Sequence, residues 1–379
     1  MTALTGKTVL VTGATGNIGG RLVERLVAEH GAKTRTLVRQ FEKGARIARF
    51  DVEMVKGSLE DAQAIDAAVA GADVVFNLAW DFSDSIENNL ACIRNVYEAC
   101  LRHGVSRLVH ISSIAVYEPF EDGELAEAMQ PVPKGFPYGD AKIAVERELL
   151  CMVEEKNLPA VILEPTNVYG PFAGFWTDGV VQQLLGGGLI LPEDAKGLCN
   201  VVYIDDLVDA MVLAATKPEA IGERFIISGG EPVPWRRFYQ AYEDCLEIKS
   251  VQTMPFEDIS RQKKSVLANL KLLLANPRRI TKWGPAAALL QPLKRWLGDK
   301  AKARLRGLYA GYRSTLAPKA TEMPEQYLLD LYTANTRCRI DKARSGLGYN
   351  PRFDFEAGMR LTGDYVRWAY PPDTHPRHP

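Results

Sequence analysis

Thr8-Val9-Leu10-Val11-Thr12-Gly13-Ala14-Thr15-Gly16-Asn17-Ile18-Gly19 decides the fold of this 379-residue chain. Its first four residues are a short apolar run rich in β-branched side chains and stopped by glycine, the pattern of a strand buried on both faces. The glycines then open a helical pattern, and a Gly-x-x-Gly-x-x-Gly turn between strand and helix makes a cradle for a dinucleotide. Gly13 permits the tight turn, Gly16 lets the backbone approach a pyrophosphate, and Gly19 allows helix and strand to pack closely. Thr15, Asn17 and Ile18 complete the cradle, where free N–H groups and the helix dipole attract the anion.

Outward from this stretch, strand-like runs recur at 34–38, 52–55, 73–78, 107–111 and 160–163, with helical patterns at 19–29, 61–70, 88–103 and 138–156 between most of them. Alternating strands and helices predict an α/β chain: a Rossmann-type doubly wound parallel sheet with right-handed crossovers. The regularity breaks near Pro165 into glycine- and proline-rich loops, and a helix at 206–215 and a strand at 224–227 return to the sheet. The expected organisation is therefore interleaved. A dinucleotide-binding domain covers 1–165 with returning elements at about 200–230. A smaller, mostly helical substrate lobe covers 166–199 and 231–370, and a frayed proline-rich tail covers 371–379.

A net charge of −1 argues against bulk nucleic-acid binding, but the average conceals segregation. Residues 261–319 hold fifteen Lys or Arg against one acid, Asp299, leaving about −15 on the remainder. Leu289, Leu290, Leu293, Trp296 and Leu297 recur there at helical spacing among lysines and arginines. A solvated helix pair packed on the acidic remainder, peripheral contact with an anionic membrane surface, and an anionic partner or substrate are the three readings of this insert. Six scattered cysteines lack a Cys-x-x-Cys pair and the five histidines form no ligand spacing with them, so no metal site is expected. Met1 to Lys7 run straight into the first strand without a leader pattern, and no apolar run approaches the ~18–20 residues of a membrane span, so a cytoplasmic protein is expected.

Two further motifs supply chemistry. Ser112-Ser113-Ile114-Ala115-Val116-Tyr117 ends the 107–111 strand, placing a hydroxyl at the carboxyl edge of the sheet, where open α/β folds bind ligands. Tyr138 and Lys142 stand one helical turn apart on the next helix. With fourteen tyrosines in the chain, a Tyr-x-x-x-Lys spacing arises easily by chance, and the order of finger, serine and Tyr/Lys pair supplies the specificity. A phenol of pKa about 10 becomes a usable base only where nearby positive charge stabilises its anion, as Lys142 and an oxidised nicotinamide would. At the end of the second strand, where an acid usually meets the ribose of NAD, stands Arg39. A guanidinium suits the 2′-phosphate of NADP, which is slightly favoured, and an ordinary surface arginine with NAD is the other reading.

Thr12 to Gly19, Asn77-Leu78-Ala79, Ser113, Tyr138/Lys142 and Pro165-Thr166-Asn167-Val168-Tyr169-Gly170-Pro171 together resemble the extended short-chain dehydrogenase/reductase superfamily, the NAD-dependent epimerase/dehydratase family. The likeness covers about residues 6–230 and resumes at Ile340-Asp341-Lys342-Ala343-Arg344 and Leu347-Gly348-Tyr349. It implies that Tyr138 carries the proton at the substrate oxygen, that Lys142 also holds the nicotinamide ribose, and that Ser113 orients the substrate oxygen. It further implies that Ser58 and Leu59 flank the adenine, that Leu78 and Ala79 line the cofactor, that Pro165 and Thr166 lie near the nicotinamide, and that the protein is a homodimer. Ser58 departs from the family, which commonly has Asp after the glycine corresponding to Gly57.

Asn167 matches the asparagine with which nucleotide-sugar epimerases hold a diphosphate. Against that, Glu164 stands where the family has arginine, and Cys199 where a phosphate-clamping arginine is expected. Neither side chain can replace a bidentate anion clamp. Ile114-Ala115 supply no carboxylates, which argues against a 4,6-dehydratase. The expected function is NAD(P)-dependent redox or epimerisation at a secondary alcohol or ketone of a small molecule, with a nucleotide-sugar-type substrate slightly ahead. A 3β-hydroxysteroid dehydrogenase-like oxidoreductase acting on a lipid alcohol at a membrane surface is the rival, and a non-catalytic NAD(P)-binding scaffold is the third reading.

Overall fold

The computed structural model describes residues 3–82, 85–193, 196–259 and 324–371. The basic insert 261–319 and the tail beyond residue 371 lie outside the described residues. Contacts divide the chain into two compact units: Met1–Val181, Lys196–Ile248 and Asp330–Pro379 form the first, Gln182–Ala195 and Lys249–Leu329 the second.

In the first unit, β1 (Thr8–Thr12), β2 (Lys33–Val38), β3 (Val52–Lys56), β4 (Val74–Asn77) and β5 (Arg107–Ile111) alternate with α1 (Asn17–Ala28), α2 (Ala62–Val69) and α3 (Ile86–Arg102). Beyond β6 (Gly123–Leu125) come α4 (Pro137–Lys156) and β7 (Ala160–Pro165). The strand Arg224–Ile227 returns to the outer side of β7, as its apolar run predicted, and the seven strands pair in parallel. The edge formed by β3, β2 and β1 is built first and the chain then crosses to β4 on the other side of β1. That reversal opens a crevice at the carboxyl ends of β1 and β4.

Alternation along buried strands fills both faces. Val9 and Val11 of β1 pack with Leu22 and Leu26 of α1 on one face, joined by Leu207 and Met211 from the helix Ile204–Thr216 and Leu347 from the helix Asp341–Leu347. Leu10 points to the opposite face, onto Ile65 of α2, Val96 of α3 and Leu149 of α4. Helix starts are locally encoded: Asp61 accepts from the backbone N–H groups of Gln63 and Ala64 at α2, and Ser85 accepts from that of Asn88 at α3. The region after Pro165, read from sequence as loops, holds the short strands Asn167–Tyr169, Leu198–Cys199, Val201–Tyr203 and Val233–Pro234. In the second unit the strands Leu189–Pro192 and Val251–Met254 pair in parallel, and Ile190, Ile259 and Leu329 form a small buried cluster.

Candidate active site

The finger follows β1 into the crevice. Gly13 has φ +70°, and a Cβ there would lie 2.9 Å from the backbone nitrogen of Ala79. A Cβ on Gly19 would stand 2.3 Å from the Gly13 carbonyl, so both glycines are required by close approach. Thr12 ties the finger to β4: its hydroxyl donates to Asn77 Oδ1 at 2.7 Å and accepts from the N–H groups of Leu78 and Ala79 at 3.2 and 3.3 Å. Gly16 begins α1 with no side-chain cap and no acid in the first turn, and Asn17 Oδ1 is buried without a hydrogen-bond partner. An uncapped N-terminus without a competing carboxylate beside a glycine cradle fits a dinucleotide pyrophosphate.

At the carboxyl end of β2, Arg39 has a side chain 67% exposed, and its guanidinium meets Asp81 at 3.1 Å. Asp81 was not anticipated from the sequence. Ser58 Oγ accepts from the N–H of Glu60 at 3.4 Å, and the Leu59 carbonyl accepts from Asn95 Nδ2 at 2.9 Å. Those two bonds fix the turn between β3 and α2.

The serine turn and α4 converge at the end of β5. Ser113 caps the short turn Ile114–Tyr117, its Oγ accepting from the Ala115 N–H at 3.2 Å. Gly139 lets the first turn of α4 press on that segment, since a Cβ there would lie 2.4 Å from the Ala115 carbonyl. The close approach sets the Tyr138 phenol beside the Ser113 hydroxyl. Lys142 is only 4% exposed; its Nζ donates to the Ile111 carbonyl at 3.1 Å and lies 4.4 Å from the centre of the Trp80 ring and 5.9 Å from that of Tyr138.

Burial pushes the Lys142 ammonium down to about 8, opposed by the negative charge of Glu146. Burial pushes the Tyr138 phenol up, the Ser113 hydrogen bond pulls it down, and the Glu118 carboxylate pushes it up again. Glu118 itself is raised to about 7 by burial. Around the tyrosine, Phe82 stacks at 5.3 Å while 80% exposed, and Trp80 meets it edge-on at 6.0 Å. The sequence reading missed Trp80, Phe82 and Glu118. The two aromatics look like ordinary loop residues, though their place directly after Asn77-Leu78-Ala79 was the available signal.

Beyond β7 the remaining candidates are engaged with one another. Thr166 Oγ1 donates to Ser228 Oγ at 3.1 Å, beside Pro165 at the end of β7. Asn167 Nδ2 donates to Cys199 Sγ at 3.3 Å, and complete burial raises that thiol well above its ordinary range. Glu164, wholly buried, accepts from Tyr117 at 2.9 Å and pairs with Arg224 at 3.1 Å. Thus a cation does stand next to position 164, delivered by the neighbouring strand and turned toward a carboxylate.

Residues 9–228 match the model of the NAD dependent epimerase/dehydratase family. The 2-alkyl-3-oxoalkanoate reductase of Stenotrophomonas maltophilia is 31% identical over 242 residues, 60% of this chain and 72% of the relative. UDP-glucose 4-epimerase of Vibrio cholerae is 28% identical over 250 residues, 60% and 72% of the two chains. Among solved structures, UDP-glucose 4-epimerase of Thermotoga maritima superposes with a TM-score of 0.66 at 20% identity over 96% of this chain and 99% of that one, a likeness of fold. With the family match running from β1 through the returning strand Arg224–Ile227, the chain belongs to the NAD-dependent epimerase/dehydratase family.

Proposed function

We propose that this protein is an NAD(P)-dependent oxidoreductase acting at a secondary alcohol or ketone, and that its substrate is a ketone flanked by apolar surface. The observation that carries the reaction class is the convergence of Ser113, Tyr138 and Lys142 beside the glycine finger. A bound nicotinamide supplies or removes hydride at the carbinol carbon. Ser113 holds the substrate oxygen by a hydrogen bond, and Tyr138 gives that oxygen its phenolic proton in reduction or takes it back in oxidation. Lys142, held by Ile111 and Trp80, holds the nicotinamide ribose through hydrogen bonds and favours the phenolate by its charge. Gly13, Thr15, Gly16, Asn17, Ile18 and Gly19 hold the pyrophosphate, Leu78 and Ala79 line the cofactor, Ser58 and Leu59 flank adenine, and Pro165 and Thr166 lie by the nicotinamide. Arg39 takes the 2′-phosphate of NADP.

The substrate assignment reverses the order that the sequence suggested. Asn167 is tied to a neutral thiol and Glu164 occupies its arginine, so the positions that would grip a diphosphate offer no free cation, whereas Trp80 and Phe82 put aromatic surface against the proton carrier. The reductase from Stenotrophomonas maltophilia is named for an alkyl-substituted ketone. Asn167, present as in nucleotide-sugar enzymes, supports epimerisation of a nucleotide sugar as the second reading, and the Vibrio cholerae relative is named for one.

The deciding experiment follows NADPH and NADH oxidation with a 2-alkyl-3-oxo acid and UDP-glucose side by side, together with mass spectrometry of small molecules released from freshly purified protein. Oxidation of exchangeable NADPH by the oxo acid, abolished in Tyr138→Phe while cofactor binding persists, is the expected result. Interconversion of UDP-glucose with tightly retained NAD would overturn the substrate assignment and leave the reaction class standing.

A further inference from the structure

One helical turn beyond Lys142, Glu146 is buried, and it shares a single guanidinium nitrogen of Arg224 with the buried Glu164 on β7. Two buried carboxylates at one guanidinium nitrogen leave one negative charge in excess, and a proton on one of them removes it. The surroundings set the same count. Arg224, from the neighbouring strand, lies 3.1 Å from Glu164 Oε1 and 3.6 Å from Glu146 Oε2. Ser112, beside the candidate serine, donates to Glu146, and Tyr117, at the end of the same turn, donates to Glu164 at 2.9 Å. Glu127 approaches from the segment after β6, its Oε1 accepting from the Ile226 N–H at 2.8 Å and its carbonyl from Arg224 at 3.2 Å. The buried Cys338 thiol on the strand Thr336–Cys338 faces Glu164, and the buried Tyr97 phenol on α3 faces Glu146. Glu127, Glu146 and Glu164 stand against Lys142 and Arg224, so the buried group is formally neutral when it holds one proton.

We propose that Glu146 and Glu164 form a one-proton carboxyl pair, neutralised by Arg224, that sets the charge of Lys142 and anchors the serine turn beside it. The pair distributes a single negative charge between a near oxygen set on Glu146 and a far one on Glu164. Glu146 stands one helical turn from Lys142 on α4 and its charge raises the lysine's midpoint, whereas Glu164 lies on β7, so the division of charge within the pair decides how strongly the lysine is held in its ammonium form. Both glutamates are positioning residues, acting through Lys142 and through Ser112 and Tyr117. The inference deepens the reading in which Lys142 serves the cofactor and Tyr138, and its test needs no substrate.

Carbon-13 NMR of protein labelled at the glutamate carboxyl carbon is expected to show a protonated side-chain carboxyl at pH 7 in the wild type that persists in Glu118→Gln, which removes the other glutamate raised to about 7. Nitrogen-15 lysine NMR, with the Lys142 resonance identified by its loss in Lys142→Met, then follows the lysine. Glu164→Gln confines the charge to Glu146 and moves the Lys142 midpoint up; Glu146→Gln confines it to Glu164 and moves the midpoint down. Either change leaves the buried group formally neutral, which favours folding of both variants. Absence of a protonated carboxyl in the wild type would overturn the proposal, as would movement of Lys142 in the same direction, or not at all, in the two variants. Should a pair variant fail to fold, the carboxyl measurement in Glu118→Gln still decides. Failure of the ketone assay leaves all of these readings unaffected, so the two proposals fall separately.

Discussion

At Tyr138 burial and the Glu118 charge both disfavour the phenolate, and Ser113 favours it. Removing the Glu118 charge should therefore lower the phenol's midpoint and move the limb of the alcohol-oxidation pH profile that reports Tyr138 to lower pH. Because Glu118 is itself raised to about 7, the difference between Glu118→Gln and wild type should fade below that pH, where the carboxyl is neutral, and open above it. Steady-state rates across pH check this; a constant difference at all pH values would contradict the assignment. Stability follows the same group with a definite sign. Between the ordinary 4.5 and about 7 the folded state binds the Glu118 proton more tightly than the unfolded chain, so this contribution declines as pH rises through the window. Glu118→Gln should flatten that part of the pH–Tm curve. At the other end of the crevice, Arg39→Ala should weaken NADP binding roughly 10- to 100-fold, the scale of one charge-assisted contact, with NAD little changed in fluorescence titrations.

Elements explain what could be read in advance and what could not. Buried strands such as β1 and β5 announce themselves as continuous apolar runs. The finger and the Tyr138/Lys142 turn are local patterns, so the parallel sheet and the elements that carry the finger, the serine turn and the Tyr138/Lys142 pair were legible in the sequence. Arg224 was not. Its role depends on β7 lying beside the strand Arg224–Ile227 in a register that pairs Arg224 with Ile162 and Ile226 with Glu164, and on the guanidinium reaching along that edge to residues sixty positions earlier in sequence. Glu164, read as the loss of a cation, is in fact half of a buried ion pair. Arg224→Met should therefore cost about 3–5 kcal/mol in denaturant unfolding, because it strands buried carboxyl groups without their counter-charge. Combining it with Glu164→Leu should recover part of the loss, and a double variant less stable than the single one would show that the strand edge is held by something else.

For the molecule as a whole, every described residue assigned to cofactor or proton transfer belongs to the first compact unit, although that unit is assembled from three separate stretches of chain. The charge segregation seen in the sequence falls on 261–319, outside the described residues. If the crevice between β1 and β4 is the cofactor site, ligand binding should stabilise the first unit through mass action, by about 2.7 kcal/mol at a hundredfold excess over Kd. Hydrogen exchange read peptide by peptide gives that prediction a location. NADPH should slow exchange most in the segments around 12–20, 37–40 and 77–80, which line the crevice, and in 111–117 and 138–142, which carry the serine turn and the Tyr138/Lys142 turn. Peptides from 182–193 and 249–259, in the second unit, should change little. Protection concentrated in that second unit instead would mean that the nucleotide is held elsewhere, and the roles assigned to Gly13, Gly16 and Lys142 would fall with it.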